Sequence, residues 1–328
     1  MRAIELTSYS GSGALRLVET AKPKPGPGEV LIEVRASGMN FAELELTRGR
    51  YPTGQTPPFI MGFEAAGTVV ETGPGVTSVR AGDAVTATVK SGGYAEFAVA
   101  DADACIPIPR GVSFAEATTI PIQGLSAFAL LQLVAKPAPN DAILIQAAAG
   151  GVGLYLVQLA KAMGVKTVIA LASTSEKLRL LKTLGACAVI DYIQPDWPAQ
   201  VRRALGAGFS KGVDIVLESS SGDVGRESFR LLAPFGRMIM YGARNIHDTL
   251  VPEQLRQLIT ANQTIAGFNI PSVPRDLLAP LIPKLLDLIG NRQVKIFADQ
   301  SYSFDQVVTA FDALASRSTI GKVVLTPS

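Results

Sequence analysis

Ala147-Ala148-Ala149-Gly150-Gly151-Val152-Gly153 is the stretch on which the reading of this chain turns. It follows an apolar run, Ala142 to Ile145, that predicts a buried strand. It opens a second apolar run, Leu154 to Met163, that predicts a helix. A strand, a tight glycine turn and a helix place backbone N–H groups and the positive end of a helix dipole where a phosphate can sit. The turn departs from the usual G-x-G-x-x-G, because Ala148 stands at the first glycine position. Two readings stay open on this stretch alone. One is a dinucleotide cradle, favoured by the strand and helix around it; the other is a glycine turn kept for packing.

The next apolar run, Val165 to Ala172, predicts the second strand. It ends about 20 residues beyond the glycines, where a dinucleotide-binding unit tests the adenine ribose. A site for NADH carries an acidic residue there, to accept from the 2′-hydroxyl. This chain has Ser173-Thr174-Ser175-Glu176-Lys177. Hydroxyls and a lysine suit a 2′-phosphate, and a carboxylate at the strand end would repel it, so the pattern favours NADPH. The same residues also read as a helix start, with Ser173 as N-cap and Glu176 closing a capping box three residues on. Both readings can hold at once.

With 328 residues the chain is long enough for two domains. It is 48% hydrophobic and 18% charged, which allows large buried cores and argues against disorder. A net charge of +2 without a Lys/Arg block makes nucleic acid an unlikely main partner. Met1-Arg2-Ala3-Ile4-Glu5-Leu6 lacks the apolar core of a signal peptide. Residues 142 to 172 are strongly apolar, but Gly150, Gly151, Gly153, Lys161 and Gly164 break them into strand, helix and strand. No membrane span is expected there. Two cysteines far apart, Cys105 and Cys187, offer no disulfide framework and point to a reducing cytoplasm. Together with His247 they are too few and too scattered for a zinc site. His247, in the polar stretch Arg244 to Thr249, reads as a surface-loop histidine, and no G-x-S-x-G elbow supplies a hydrolase nucleophile.

The two ends of the chain differ from its middle. Val30 to Arg35, Gly67 to Glu71 and Ala84 to Val89 predict short strands separated by turn signals such as Gly73-Pro74-Gly75 and Ala81-Gly82-Asp83, a β-rich pattern. From about 121 to 265, strands alternate with helices: Ala142–Gln146, Val165–Ala172, Ala188–Ile190, Val213–Leu217 and Arg237–Tyr241. That alternation predicts a doubly wound parallel sheet. Leu277 to Ile289 and Phe304 to Ser316 predict amphipathic helices, and Gly321-Lys322-Val323-Val324-Leu325 a last short strand.

Asn40-Phe41-Ala42-Glu43, Gly49-Arg50-Tyr51-Pro52, Gly62-Phe63-Glu64-Ala65-Ala66-Gly67, the glycine turn and Gly321-Lys322-Val323-Val324-Leu325 follow one another in an order that resembles a known family. It is the zinc-free quinone oxidoreductase branch, zeta-crystallin-like and VAT-1-like, of the medium-chain dehydrogenase/reductase superfamily. Gly212-Val213-Asp214-Ile215-Val216, Tyr241-Gly242 and Ala266-Gly267-Phe268 look closest to its VAT-1-like group. The resemblance covers essentially the whole chain. It implies an α/β protein with a GroES-like β-rich catalytic domain, residues 1–120 and 266–328, and a doubly wound Rossmann NADPH-binding domain, residues 121–265. It also implies that Asn40, Phe63 and Gln123 stand where zinc-dependent relatives carry metal ligands. Glu64 is then left as a buried structural carboxylate or an interdomain acceptor.

The resemblance further implies NADPH contacts at Gly150, Gly151, Val152 and Gly153 for the pyrophosphate, and at Ser173, Lys177 and Tyr192 for the 2′-phosphate. Gly242, Phe268, Asn269, Ser126 and Lys322 would lie along the nicotinamide half. On residues alone, Tyr192 also reads as a packing tyrosine and Lys322 as a solvated strand lysine. Asn40 and Tyr51 are the expected catalytic pair: Asn40 donates to a substrate carbonyl, and Tyr51 donates a hydrogen bond or a proton. Glu45 stands where relatives often have tyrosine. A solvated helix residue is its favoured reading, against a proton donor at a pocket mouth.

The function expected from all this is zinc-independent, NADPH-dependent reduction of a quinone. Reduction of an enone or enoyl double bond, and a non-catalytic NADPH-binding role, are the alternatives. RNA binding, found in some relatives, gains little from a chain of this charge. The partners expected are a small-molecule acceptor and a second copy of the chain in a homodimer, with no metal and no membrane.

Overall fold

A computed structural model describes residues 1–51, 53–206, 212–242, 249, 251–298 and 300–327, and for Glu253 the backbone only. His247 and Pro52 lie outside the described residues. The chain divides into two compact units, Met1–Gln123 with Ile296–Ser328, and Gly124–Lys295.

The first unit is β-rich, as its turn signals predict. Its organising strand is Glu29–Met39, which pairs antiparallel with Glu64–Thr72, Phe97–Asp101 and Val323–Thr326. Val30, Leu31 and Ile32 are all fully buried, so this strand is covered on both faces rather than alternating. Register shifts at Leu31/Ile32 and Val34/Ala36 bend it, which a β-bulge does by adding an unpaired residue. Ala84–Thr88 and Cys105–Pro107 extend the sheet on one side and Gln300–Ser303 on the other. The C-terminal strand sets the register that matters for the site. Val323 lies opposite Met39, so Lys322 arrives beside Asn40, the residue after Met39. A core of Ile4, Leu6, Met39, Leu44, Leu46, Tyr94, Phe304 and Phe311 packs beneath that point.

The second unit is a doubly wound sheet. Its six parallel strands run in the order Ala188–Asp191, Thr167–Ala172, Ala142–Ile145, Val213–Glu218, Leu232–Tyr241, Thr264–Phe268. Ala142 to Ile145 are fully buried, as a parallel strand covered by helices requires. The strand order reverses between Ala142–Ile145 and Val213–Glu218. Open α/β sheets bind ligands beyond the carboxyl ends of the strands at such a switch point.

Two boundaries differ from the sequence expectation. Residues 266–295, expected with the β-rich domain, belong to the second unit. Thr264–Phe268 is that unit's sixth strand, and the helix Leu281–Gly290 packs on Leu125–Ala129. The Gln158 side chain ties Lys295 in place, accepting its N–H at 2.8 Å and donating to its carbonyl at 3.1 Å. An amphipathic pattern says that a helix buries one face, not which neighbour covers it. The predicted helix Leu277–Ile289 is also two helices, Arg275–Leu278 and Leu281–Gly290, parted at Pro280, whose ring fixes φ and removes a donor.

Ser126 lies inside a long helical run rather than at its start. Phe114–Ala135 is long and apolar enough to cross a membrane, and 78% of its most apolar window is buried inside the protein. The run widens to π geometry at Ile120–Gly124 and Leu130–Ala135, on either side of the α-helical Leu125–Ala129 that carries Ser126. Such bulges gather at functional sites.

Candidate functional site

The glycine turn leaves its strand through Ala147, which takes a left-handed φ of 44° although it is not glycine. Non-glycine residues in that region carry strain that the surroundings must hold, and they gather at ligand sites. Here the Ala148 N–H is fixed to Leu171 O at 3.1 Å and the Gly150 N–H to Ala147 O at 2.9 Å. A Cβ on Gly153 would lie 2.6 Å from Ala148 Cα, so only glycine lets the helix start this close to the turn. The helix Gly151–Ala162 has Gly150 as N-cap, no side-chain cap and no acidic residue in its first turn. Its leading N–H groups lack intrahelical partners, and among the described residues no side chain caps them, which fits the pyrophosphate of a dinucleotide.

The next strand end gathers Ser173, Tyr192 and the helix that carries Lys177. The sequence expectation made Ser173 the N-cap. The structure gives that role to Thr174, whose hydroxyl accepts from the Lys177 N–H at 3.3 Å, and the helix runs Ser175–Thr183. The Ser173 hydroxyl is therefore not the cap and stands at the strand end. Lys177 is nearly buried, and desolvation lowers its amine from the usual lysine range while Glu176 opposes the shift. The Tyr192 N–H donates to Ala172 O at 3.2 Å, which sets Tyr192 beside Ser173. Strand pairing likewise sets Tyr241, and Gly242 after it, opposite Phe268 and Asn269. The Asn269 amide donates locally, to Ser272 Oγ at 3.3 Å.

Sequence reasoning missed the residues that hold the switch point. Gln146 is fully buried. Its Nε2 donates to Ser228 Oγ at 2.8 Å, and its Oε1 accepts the Ser220 N–H at 3.0 Å. Glu218, also buried, accepts the N–H groups of Ser220 at 3.0 Å and Ser221 at 2.6 Å. Together they pin the loop Ser219–Ser221 next to the glycine turn. The signal was present in the sequence: each of two apolar strands ends on one polar residue.

In the first unit, Asn40 opens the helix Phe41–Thr47. The Glu43 carboxylate reaches back to the Asn40 N–H at 2.7 Å, the acidic half of a capping box. Glu43 Oε1 also accepts the Phe63 N–H at 3.0 Å. Asn40 Nδ2 donates to Glu64 Oε1 at 2.8 Å and more weakly to Glu43 Oε2 at 3.3 Å. Lys322 Nζ donates to Asn40 Oδ1 at 2.8 Å and pairs with Glu64. Glu64 and Lys322 are completely shielded from solvent. Gly38 makes this possible, because a Cβ there would come within 2.5 Å of Glu64 Oε1 and 2.9 Å of Lys322 Nζ.

Burial sets the proton affinities of this cluster. Desolvation, then the nearby Glu64 charge, push Glu43 up to about 7. Desolvation also raises Glu64, against the pull of Lys322. The hydroxyls of Tyr94 and Tyr51 are raised by burial and, secondarily, by Glu43. Tyr51 is half-buried, with its ring 6.2 Å from that of Phe63.

Three expectations change here. The Asn40 amide is engaged inside the cluster at both ends rather than turned toward a substrate carbonyl. Lys322 is not a solvated strand lysine; it is the buried counter-charge of Glu64. Glu45 is not solvated: it is 8% exposed and pairs with Arg48 and Arg50, each at 3.0 Å. Glu64 is a buried carboxylate, one of its two expected roles. Among the described residues, no group of three or more His, Cys, Asp or Glu is placed to hold a metal ion.

Two family models match the chain. They are the alcohol dehydrogenase GroES-like domain over residues 26–110 and the zinc-binding dehydrogenase over residues 151–289. The synaptic vesicle membrane protein VAT-1 homolog of Danio rerio is 32% identical, over 99% of this chain and 70% of its own length. A quinone oxidoreductase of Pseudomonas aeruginosa is 31% identical over 99% of both chains. Among solved structures, Escherichia coli quinone oxidoreductase complexed with NADPH superposes with a TM-score of 0.91, at 28% identity and over 100% of both chains. The CurK enoyl reductase superposes with a TM-score of 0.87, at 26% identity, over 99% of this chain and 98% of that one.

Proposed function

From a chain that belongs to the zeta-crystallin and VAT-1-like branch of the medium-chain dehydrogenase/reductase superfamily, we propose an NADPH-dependent quinone oxidoreductase that works without a metal. The observation that carries the cofactor is the uncapped, acid-free start of the helix Gly151–Ala162, with Ser173, Lys177 and Tyr192 grouped at the neighbouring strand ends. In this reading Gly150, Gly151, Val152 and Gly153 hold the pyrophosphate. Ser173, Lys177 and Tyr192 hold the 2′-phosphate, and Ser126, Gly242, Phe268 and Asn269 line the nicotinamide half. Bound NADPH supplies a hydride.

The chain's own residues orient the acceptor and handle protons. The raised Tyr51 hydroxyl stays protonated at neutral pH, so it offers a hydrogen bond to the reducible oxygen of an acceptor. Asn40 and Lys322 serve the site by position. They fix the start of the Asn40 helix and balance the Glu64 charge. A quinone suits such a site, since the charge of its reduced form is delocalised and solvent can supply the proton. A second reading, reduction of an α,β-unsaturated carbonyl, is favoured by the likeness to an enoyl reductase and by the protonated Tyr51. Tyr51→Phe separates the two: quinone reduction stays within a few fold, and enone reduction is largely lost. Equal losses on both acceptors would contradict the assignment.

We place the protein in the reducing cytoplasm, with both cysteines as free thiols. We also propose a homodimer. Thr264–Phe268 is the outer strand of the parallel sheet, and Phe235, Leu255 and Ile259, on the strand and the helix that precede it in the chain, are exposed. An uncovered strand edge and exposed apolar side chains suit a two-fold pairing.

A further inference from the structure

We propose that Glu45 is a positioning residue for the acceptor side of the site: it clamps the turn Arg48–Tyr51 and so fixes where Tyr51 stands. The inference rests on the reading of Tyr51 given above, and it absorbs the one sequence departure that reading leaves unexplained.

The geometry is local and complete within the first unit. The helix Phe41–Thr47 ends just before this turn. Glu45 O accepts the Arg48 N–H at 3.1 Å and the Arg50 N–H at 2.9 Å. Its carboxylate then takes the two side chains as well, Oε1 with Arg48 and Oε2 with Arg50. One residue thus holds the backbone and side chains of both arginines, and Tyr51 is next along the chain. The turn is fastened on its far side too. Tyr9 lies over Gly49, and its hydroxyl donates to Gln55 O. Between these fixed points Tyr51 meets Phe63.

Single exposed ion pairs contribute little, because solvent screens them and side-chain freedom is lost. This arrangement differs in that the shared Glu45 side chain is 10% exposed, although the side chains of Arg48 and Arg50 remain 39% and 59% exposed. Removing Glu45 frees two arginines that are already half in water, so the fold survives and the turn loosens. A site displaced by about 1 Å can lose about two orders of magnitude in rate. A loosened wall residue acts more modestly, on acceptor binding.

The test compares Glu45→Ala and Glu45→Gln with Tyr51→Ala and the double variant Glu45→Ala/Tyr51→Ala. Hydrogen exchange at the amides of Arg48, Gly49, Arg50 and Tyr51 is read alongside kinetics with a polycyclic ortho-quinone. Glu45→Ala is expected to speed exchange at Arg48 and Arg50 about tenfold and to raise KM for the quinone about fivefold, leaving KM for NADPH unchanged. Glu45→Gln, which keeps the side chain's shape and one hydrogen bond, recovers part of both. In the Tyr51→Ala background, Glu45→Ala adds nothing, because coupled residues are non-additive. The proposal is overturned by unchanged exchange in Glu45→Ala, or by an equal further rise in KM on top of Tyr51→Ala. If exchange quickens but Tyr51→Ala leaves the quinone kinetics untouched, the clamp stands, and it is the placement of Tyr51 in the site, and with it the proposed link to the acceptor, that fails.

Discussion

Replacing Lys322 with methionine tests whether the buried cluster of the first unit is held by its charges. Methionine has a similar length and fills apolar space, so the change removes the ammonium while leaving little cavity. Lys322 and Glu64 are both fully shielded, and Lys322 Nζ also donates to Asn40 Oδ1 at 2.8 Å. Losing one partner of a buried pair typically costs about 3–5 kcal/mol, because the other charge is left uncompensated. We expect about 4 kcal/mol at pH 7.5, read by native-state hydrogen exchange in the strands Glu29–Met39 and Val323–Thr326. That assay reports on this unit without assuming that both units unfold together. The sign of the pH dependence follows from Glu64, whose proton affinity burial already raises. A carboxyl raised in the folded state favours folding when protonated and loses that advantage as pH rises. The deficit of Lys322→Met therefore shrinks toward pH 5, and Lys322→Met/Glu64→Gln recovers most of it at pH 7.5. A loss below about 1 kcal/mol, or a deficit that grows on acidification, would refute the reasoning.

Further expectations concern both units. Gly153→Ala drives a Cβ to within 2.6 Å of Ala148 Cα, and we expect NADPH affinity to fall at least a hundredfold by fluorescence titration, with the first unit's exchange pattern unchanged. Glu43, raised from 4.5 to about 7, makes wild-type stability decline by about 3 kcal/mol as pH rises through that window. Glu43→Gln should flatten this slope in urea titrations between pH 5 and 8. Phe235→Asp with Ile259→Lys places charges at two of the exposed apolar positions. Sedimentation should show a dimer for the wild type and a monomer for this variant; a wild-type monomer at every concentration would end the proposal.

The parallel sheet was legible because its strands are continuous apolar runs, such as Ala142 to Ile145, each followed by a helix-period pattern. The glycine turn was legible because its chemistry is local. The same was not true of contacts between residues distant in sequence. Lys322 reads as an ordinary strand lysine until the pairing of Val323 with Met39 carries it 282 positions back to Asn40. Glu45 looked solvated because helical position alone does not show that Arg48 and Arg50 fold over it. Thr174 rather than Ser173 caps its helix, a one-residue difference of the kind helix ends often show. The helix Leu281–Gly290 announced its apolar face but not the neighbour that covers it.

Whether an NADPH site feeds a quinone is read by steady-state oxidation of NADPH and of NADH with a polycyclic ortho-quinone, in wild type and Lys177→Ala. Turnover with NADPH is expected, with a kcat/KM for NADH at least tenfold lower and a Lys177→Ala enzyme that loses most of this preference by weakening NADPH alone. Equal use of the two cofactors by the wild type, or no turnover with either, would contradict it.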